Sequence, residues 1–97
     1  MSETNFISIH NNRSAFIIEE NGERVAEMVV GIASNEMTVY HTEVNDQLKG
    51  KGVGKKLLDE MVEYCRQHNL KVIPRCTYVL AQFQRHEDEY SDIWKKL

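Results

Sequence analysis

Three glycines at alternate positions, Gly50, Gly52 and Gly54, stand between a strand-patterned stretch and a helix-patterned one, and this junction constrains the chain most. Downstream of it, Val53, Leu57, Leu58, Met61, Val62 and Cys65 recur at helical spacing and form one apolar stripe. Lys55, Lys56, Asp59, Glu60, Glu63, Arg66 and Gln67 fill the opposite side, and the helix is expected to stop near His68-Asn69, where asparagine tolerates a left-handed cap. A helix that begins directly after a glycine-rich turn presents its unpaired first-turn N–H groups and the positive end of its dipole.

Upstream, the pattern is that of strands. Alternation over residues 5–9 predicts a short first strand, and Arg13 to Glu20 a second. Asn21-Gly22 follows, a type I′ hairpin signal because both residues accept positive φ. The return strand, Glu23 to Ile32, is expected to place Ala26, Met28, Val30 and Ile32 on one face and Val25, Glu27 and Val29 on the other. After a turn at Ala33-Ser34-Asn35, the strand Glu36 to Val44 is expected to group Met37, Val39, His41 and Glu43 against Thr38, Tyr40, Thr42 and Val44. Beyond the long helix, Lys71-Val72-Ile73-Pro74 reads as a strand whose pairing fails at the proline. Val79 to Leu97 reads as helix in two pieces, the first carrying Leu80 and Phe83, the second Tyr90, Ile93, Trp94 and Leu97. The expected class is therefore α+β (α/β), one domain over residues 1–97 in the order β-β-β-β-α-β-α. His86-Glu87-Asp88-Glu89 is expected to be a solvated charged turn.

The same junction has a chemical reading. Glycines remove the Cβ atoms that keep a phosphate away from backbone N–H groups, and Lys49, Lys51, Lys55 and Lys56 add local positive charge. The spacing is not that of a Walker A loop, and Lys55 stands where a dinucleotide fingerprint needs its third glycine. A glycine-rich connection without a ligand stays open at this point. The formal net charge of −3 argues against nucleic acid as the main partner, so the basic loop suits a small anion. The longest apolar run, Met28 to Ala33, is too short to cross a bilayer, and the start of the chain lacks the pattern of a signal peptide, so a cytoplasmic location without membrane contact is expected. Cys65 and Cys76 have no partners at zinc-ligand spacing; both are read as free thiols and no metal is expected.

The stretch from Val44 through Asn45-Asp46-Gln47-Leu48-Lys49-Gly50-Lys51-Gly52-Val53-Gly54-Lys55 into Leu58 resembles the acetyl-CoA motif of the GNAT (N-acetyltransferase) superfamily, Arg/Gln-x-x-Gly-x-Gly/Ala at the head of a helix. Gly52 and Gly54 match the two motif positions, whereas Lys49 replaces the usual Arg or Gln, keeping charge but losing planar donors. The likeness extends over residues 36 to 86 and, less closely, the hairpin before them. It implies a minimal GNAT fold, a mixed, mostly antiparallel sheet with splayed central strands, to which Pro74 is suited. It also implies acetyl-CoA as cosubstrate, held by the backbone of the loop and by Val44, Lys49, Gly50, Lys51, Gly52, Val53, Gly54 and Lys55. Its further implication is transfer of the acetyl group to an amine acceptor that the sequence does not name. A non-catalytic CoA-binding module is the alternative; on either reading a monomer or weak dimer is expected.

Within that resemblance the chain looks like a compact subfamily marked by His41-Thr42-Glu43-Val44 and by Pro74-Arg75-Cys76-Thr77-Tyr78. Cys76 would lie facing the thioester, there to accept an acetyl group or protonate departing CoA, or else be a small buried apolar residue. His41 or Glu43 would serve as base for the amine, or the two form a solvent-facing pair. Tyr78 would donate to the leaving thiolate, or anchor the core.

Overall fold

The computed structural model describes residues 2–9 and 11–96. Its strands are β1 (Ser2–Ser8), β2 (Arg13–Glu20), β3 (Glu23–Ala33), β4 (Glu36–Val44) and β5 (Lys71–Pro74). The α-helices are α1 (Val53–Gln67), α2 (Thr77–Arg85) and a single turn, α3 (Glu87–Tyr90). A 3₁₀ turn over Asp46–Leu48, which the sequence pattern does not announce, leads out of β4. It forms because Asn45 caps it, its Oδ1 accepting from the Gln47 N–H at 3.0 Å.

The sheet has the order β1-β2-β3-β4-β5, antiparallel throughout except for the parallel β4/β5 pair. Positive φ at Asn21 and Gly22 makes the expected tight turn between β2 and β3, and Asn11, Asn12 and Ser34 supply the other reversals. The β4/β5 pairing runs only from Glu36 opposite Lys71 to Val39 opposite Pro74. Pro74 has no N–H to extend the ladder; Arg75 N–H makes the last bond, to the Val39 carbonyl at 3.0 Å. Past that point the two strands part, which opens the edge of the sheet beside the second half of β4.

The helices bury their apolar residues against one face of the sheet. Leu57, Leu58, Met61, Val62 and Cys65 of α1 meet Phe16, Met28, Val30, Met37 and Val39 in one cluster, which Val79, Phe83, Tyr90 and Ile93 complete. Burial pushes the Cys65 thiol up to about 12, so it behaves as an apolar side chain. Cys65 and Cys76 are both free, as the spacing suggests. On the opposite face Ala15, Ile17 and Val29 form a smaller cluster under Ile7 and Tyr40.

Two bulges redistribute the strand faces. Between β2 and β3 the register shifts so that Val25 has no partner, and Val25 joins Ala26, Met28 and Val30 in the main core instead of facing away with Glu27. Between β3 and β4, Val29 pairs with His41 but Val30 with Val39, which leaves Tyr40 as the extra residue. Strict alternation groups His41 and Glu43 with Met37 and Val39; the bulge reverses that grouping for the second half of β4. Thr42 and Val44 fall opposite Met28 and Ala26 on the helix side, and His41 and Glu43 fall opposite Val29 and Glu27 on the other face.

The chain after α2 also departs from the expected second helix. Helix α3 ends at Tyr90, residues 91–93 continue as a turn, and the chain from Trp94 then lies along the free edge of β5. Val72 N–H donates to the Ile93 carbonyl at 2.6 Å, and Lys95 N–H to the Val72 carbonyl at 2.9 Å. The helical spacing of Tyr90, Ile93 and Trp94 instead reflects a turn that buries Tyr90 and Ile93 and partly buries Trp94; Leu97 lies outside the described residues. Glu87-Asp88-Glu89 are exposed as expected, but they form the α3 turn.

The turn is fixed to α1 by Arg66, whose Nε and Nη2 reach Asp92 Oδ2 and Oδ1 at 3.0 and 3.1 Å. Hydrogen bonding from Arg66 holds the Asp92 carboxyl below the usual carboxylate range. A depressed carboxylate contributes stability above its unfolded-state pKa and loses it as pH falls through its folded-state value. Asp92→Asn is therefore expected to cost no more than about 1 kcal/mol at neutral pH, since the pair is half exposed. The difference from wild type should vanish on acidification below the normal carboxylate range, measured by urea unfolding at a series of pH values.

Candidate functional site

The opening between β4 and the start of α2 continues into a cleft of about 410 Å³. Thr42 and Val44 of β4 form one wall, Leu48, Lys49, Gly50 and Gly52 the rim, and Val53, Gly54 and Lys55 the head of α1; Tyr78 closes the far side.

The floor of the cleft is made of backbone. Gly50 and Gly52 adopt φ of +82° and +80°, a left-handed conformation that side chains with a Cβ enter only at a cost. Gly52 is the N-cap of α1, and no side chain caps that end. The first intrahelical bond of α1 runs from Lys56 N–H to the Gly52 carbonyl at 3.1 Å, so the amides of Val53, Gly54 and Lys55 precede the ladder. Three amides at a positive helix end, in a cleft edged by lysines, make a receptor for a phosphate group. A Cβ added to Gly54 would stand 3.4 Å from the Tyr78 ring, in van der Waals contact, so Tyr78 lies directly over the head of the helix.

Two lysines beside the cleft pair with carboxylates of their own turn. Lys49 Nζ lies 2.9 Å from Asp46 Oδ1, and Lys55 Nζ lies 2.6 Å from Asp59 Oδ1. The hydrogen bond to Asp59 holds the Lys55 ammonium above its ordinary value. Burial, the largest cause, pushes the Tyr78 phenol up, with Lys55 pulling the other way; the phenol stays protonated at neutral pH and can donate.

The predicted loop residues converge. Val44, Lys49, Gly50, Gly52, Val53, Gly54 and Lys55 all line the cleft, and Lys51 is exposed on the same loop outside the lining. Cys76 sits at the N-cap of α2, 5% exposed, beneath the cleft wall, with its Sγ 3.3 Å from Thr42 Oγ1. Thr42 belongs to the site although the motif reading gave it no role; only the Tyr40 bulge turns it inward, and no periodicity in the sequence marks that bulge. His41 and Glu43 are not brought to the cleft. On the opposite face, His41 Nε2 lies 3.9 Å from Glu27 Oε2, and its side chain is half exposed. Among the described residues no group of three or more His, Cys, Asp or Glu side chains is arranged to hold a metal, and no helix is long and apolar enough to cross a membrane.

An open, mixed sheet whose two parallel strands part beside a glycine-headed helix defines an acyltransferase type of fold. Residues 15–93 match the family described as GCN5-related N-acetyl-transferase. A GCN5-like protein from Staphylococcus aureus, solved in solution by NMR, is 35% identical over 94% of this chain and 88% of its own, with a TM-score of 0.66. The chain belongs to the GCN5-related N-acetyltransferase family. Two more distant structures share the fold. An IAA acetyltransferase from Bacillus cereus is 18% identical, with a TM-score of 0.69 over 88% of this chain and 75% of that one. The ribosomal-protein-S18-alanine N-acetyltransferase from Escherichia coli is 16% identical, with a TM-score of 0.63 over 68% of this chain. The chain spans 43% of that enzyme's length. No curated protein matches the sequence.

Proposed function

We propose that the cleft binds acetyl-CoA in the cytoplasm and that the protein transfers the acetyl group to an amine. The observation that carries this reading is the row of unpaired amides at Val53, Gly54 and Lys55, set behind two left-handed glycines at the rim of an apolar cleft. A pyrophosphate fits such a floor, and Val44 of β4 flanks the path a pantetheine arm would take between the parted strands. At the inner end, the backbone of the 41–44 stretch polarises the acetyl carbonyl, and the protonated Tyr78 phenol supplies a proton to the departing thiolate. His41 and Glu43, on the far face, are left to take a proton from an amine that arrives from that side.

Cys76 offers a covalent variant. Its sulfur attacks the thioester carbonyl, the carbon–sulfur bond to CoA breaks, the thiol proton leaves on CoA, and the acetyl group rests on Cys76 until an amine removes it. Intact mass spectrometry after brief exposure to acetyl-CoA separates the routes: an acetyl adduct absent in Cys76→Ala supports the covalent one, and an unmodified protein that still turns over rejects it.

A second reading, a CoA-binding module without turnover, draws on the placement of His41 and Glu43 on the face opposite the cleft. The deciding experiment is calorimetric titration of acetyl-CoA, followed by a screen of amines with detection of released CoA. Saturable binding with amine-dependent CoA release supports the enzyme; binding with no release from any amine supports the module; no binding removes both.

A further inference from the structure

The contact between Thr42 and Cys76 joins residues 34 positions apart and ties the β4 wall of the cleft to the N-cap of α2. The two residues stand differently toward the cleft. Thr42 lines it, whereas Cys76 is buried behind Thr42 and is not part of the lining. A hydroxyl has one O–H and two acceptor lone pairs, while a thiol is a weak donor and a weak acceptor. Either group can donate across this contact; because the hydroxyl oxygen is the stronger acceptor of the two, the Cys76 S–H can donate to Thr42 Oγ1 and leave the Thr42 O–H to donate elsewhere. As a β-branched residue in a strand, Thr42 has few rotamers, and the contact to Cys76 selects among them. The O–H so released can turn toward the cleft, which Thr42 lines.

We propose that Thr42 is the residue by which this cleft distinguishes an acylated thiol from a free one, donating its hydroxyl proton to the thioester carbonyl oxygen while Cys76 holds the hydroxyl in place. The inference rests on the acetyl-CoA reading of the cleft and adds to it a side-chain determinant of specificity. CoA has no carbonyl at its sulfur, so the hydrogen bond exists for acetyl-CoA alone. Cys76 acts here through Thr42, as a positioning residue in the bound state before any transfer, while its S–H is in place.

The test is the ratio of CoA to acetyl-CoA dissociation constants, measured by calorimetry for wild type, Thr42→Val, Thr42→Ser and Cys76→Ala. Thr42→Val keeps the branched shape and removes the donor; it is expected to lower the preference for acetyl-CoA by roughly three- to tenfold, the worth of one hydrogen bond, with CoA affinity unchanged. Thr42→Ser is expected to keep the preference, and Cys76→Ala to lose part of it as the hydroxyl turns freely. A general loss of structure would weaken both ligands together and leave the ratio alone, so the ratio isolates the hydroxyl. An unchanged ratio in Thr42→Val overturns the inference while leaving the cleft's cosubstrate intact. Failure of wild type to bind either ligand overturns the inference together with the acetyl-CoA reading.

Discussion

Replacing Gly52 and Gly54 together by glutamate is expected to abolish acetyl-CoA binding, weakening it by at least a hundredfold in calorimetric titration while the fold survives. Each substitution acts through its own term. At Gly52 the backbone sits at φ +80°, so any side chain costs about 1–2 kcal/mol in the left-handed region. Nothing lies within 4 Å of a Cβ built there, and the new carboxylate therefore projects from the rim of the cleft. At Gly54 the new side chain meets the Tyr78 ring and enters the space above the free amides. Two carboxylates near the head of α1 are favoured by the helix dipole and occupy the donors that a pyrophosphate needs. The variant should thus be folded by circular dichroism and silent in the titration. Undiminished binding would place the cosubstrate elsewhere on the molecule.

The second large effect concerns the core under the far wall of the cleft. Phe83→Ala is expected to destabilise the protein by about 3–5 kcal/mol, the usual range for truncating a fully buried aromatic. Phe83 is completely buried, stacks on Tyr90 at 4.8 Å between ring centroids and meets the Trp94 ring at 5.6 Å. Those two partners belong to the turn and edge strand that close over β5, so the cavity loosens α2 and that closure together. For a domain of this size such a loss lowers the melting temperature by roughly 15–25 °C. Urea unfolding followed by tryptophan fluorescence measures it, because Trp94 reports on the same cluster. A shift under about 5 °C would show that the aromatic cluster is not a stabilising centre.

Much of this architecture is legible in the sequence because it follows from periodicity and turn chemistry. The α1 stripe from Leu57 to Cys65, the Asn21-Gly22 turn, and the short β5 ended by Pro74 each leave a local signature. So do the glycines at the head of α1, and with them the lining of the cleft. The two bulges leave none. The stretch from Met37 to Val44 alternates as well with Tyr40 as with it omitted, and only the pairing to β3 decides. The placement of His41, Thr42 and Glu43 was for that reason beyond the reach of a strand-face argument. The Thr42–Cys76 contact is likewise a product of tertiary folding, between residues with no shared local pattern. At the end of the chain, Tyr90, Ile93 and Trp94 mimic helical spacing because a helical turn and a β-edge both bring them to the same core.

The unpaired Tyr40 has a consequence for how such a chain changes over generations. Strand β4 carries two chemical faces interleaved one residue apart: a hydroxyl and an aliphatic group in Thr42 and Val44, an imidazole and a carboxylate in His41 and Glu43. Removing Tyr40 would restore plain alternation and keep both faces, since His41 would follow Val39 on the side away from the helices; forcing Tyr40 into the ladder would instead turn His41 and Glu43 toward the helices. A loss of three nucleotides at Tyr40 would thus leave the reactive lining as it is, where the same loss within a regular strand would turn over every side chain beyond it.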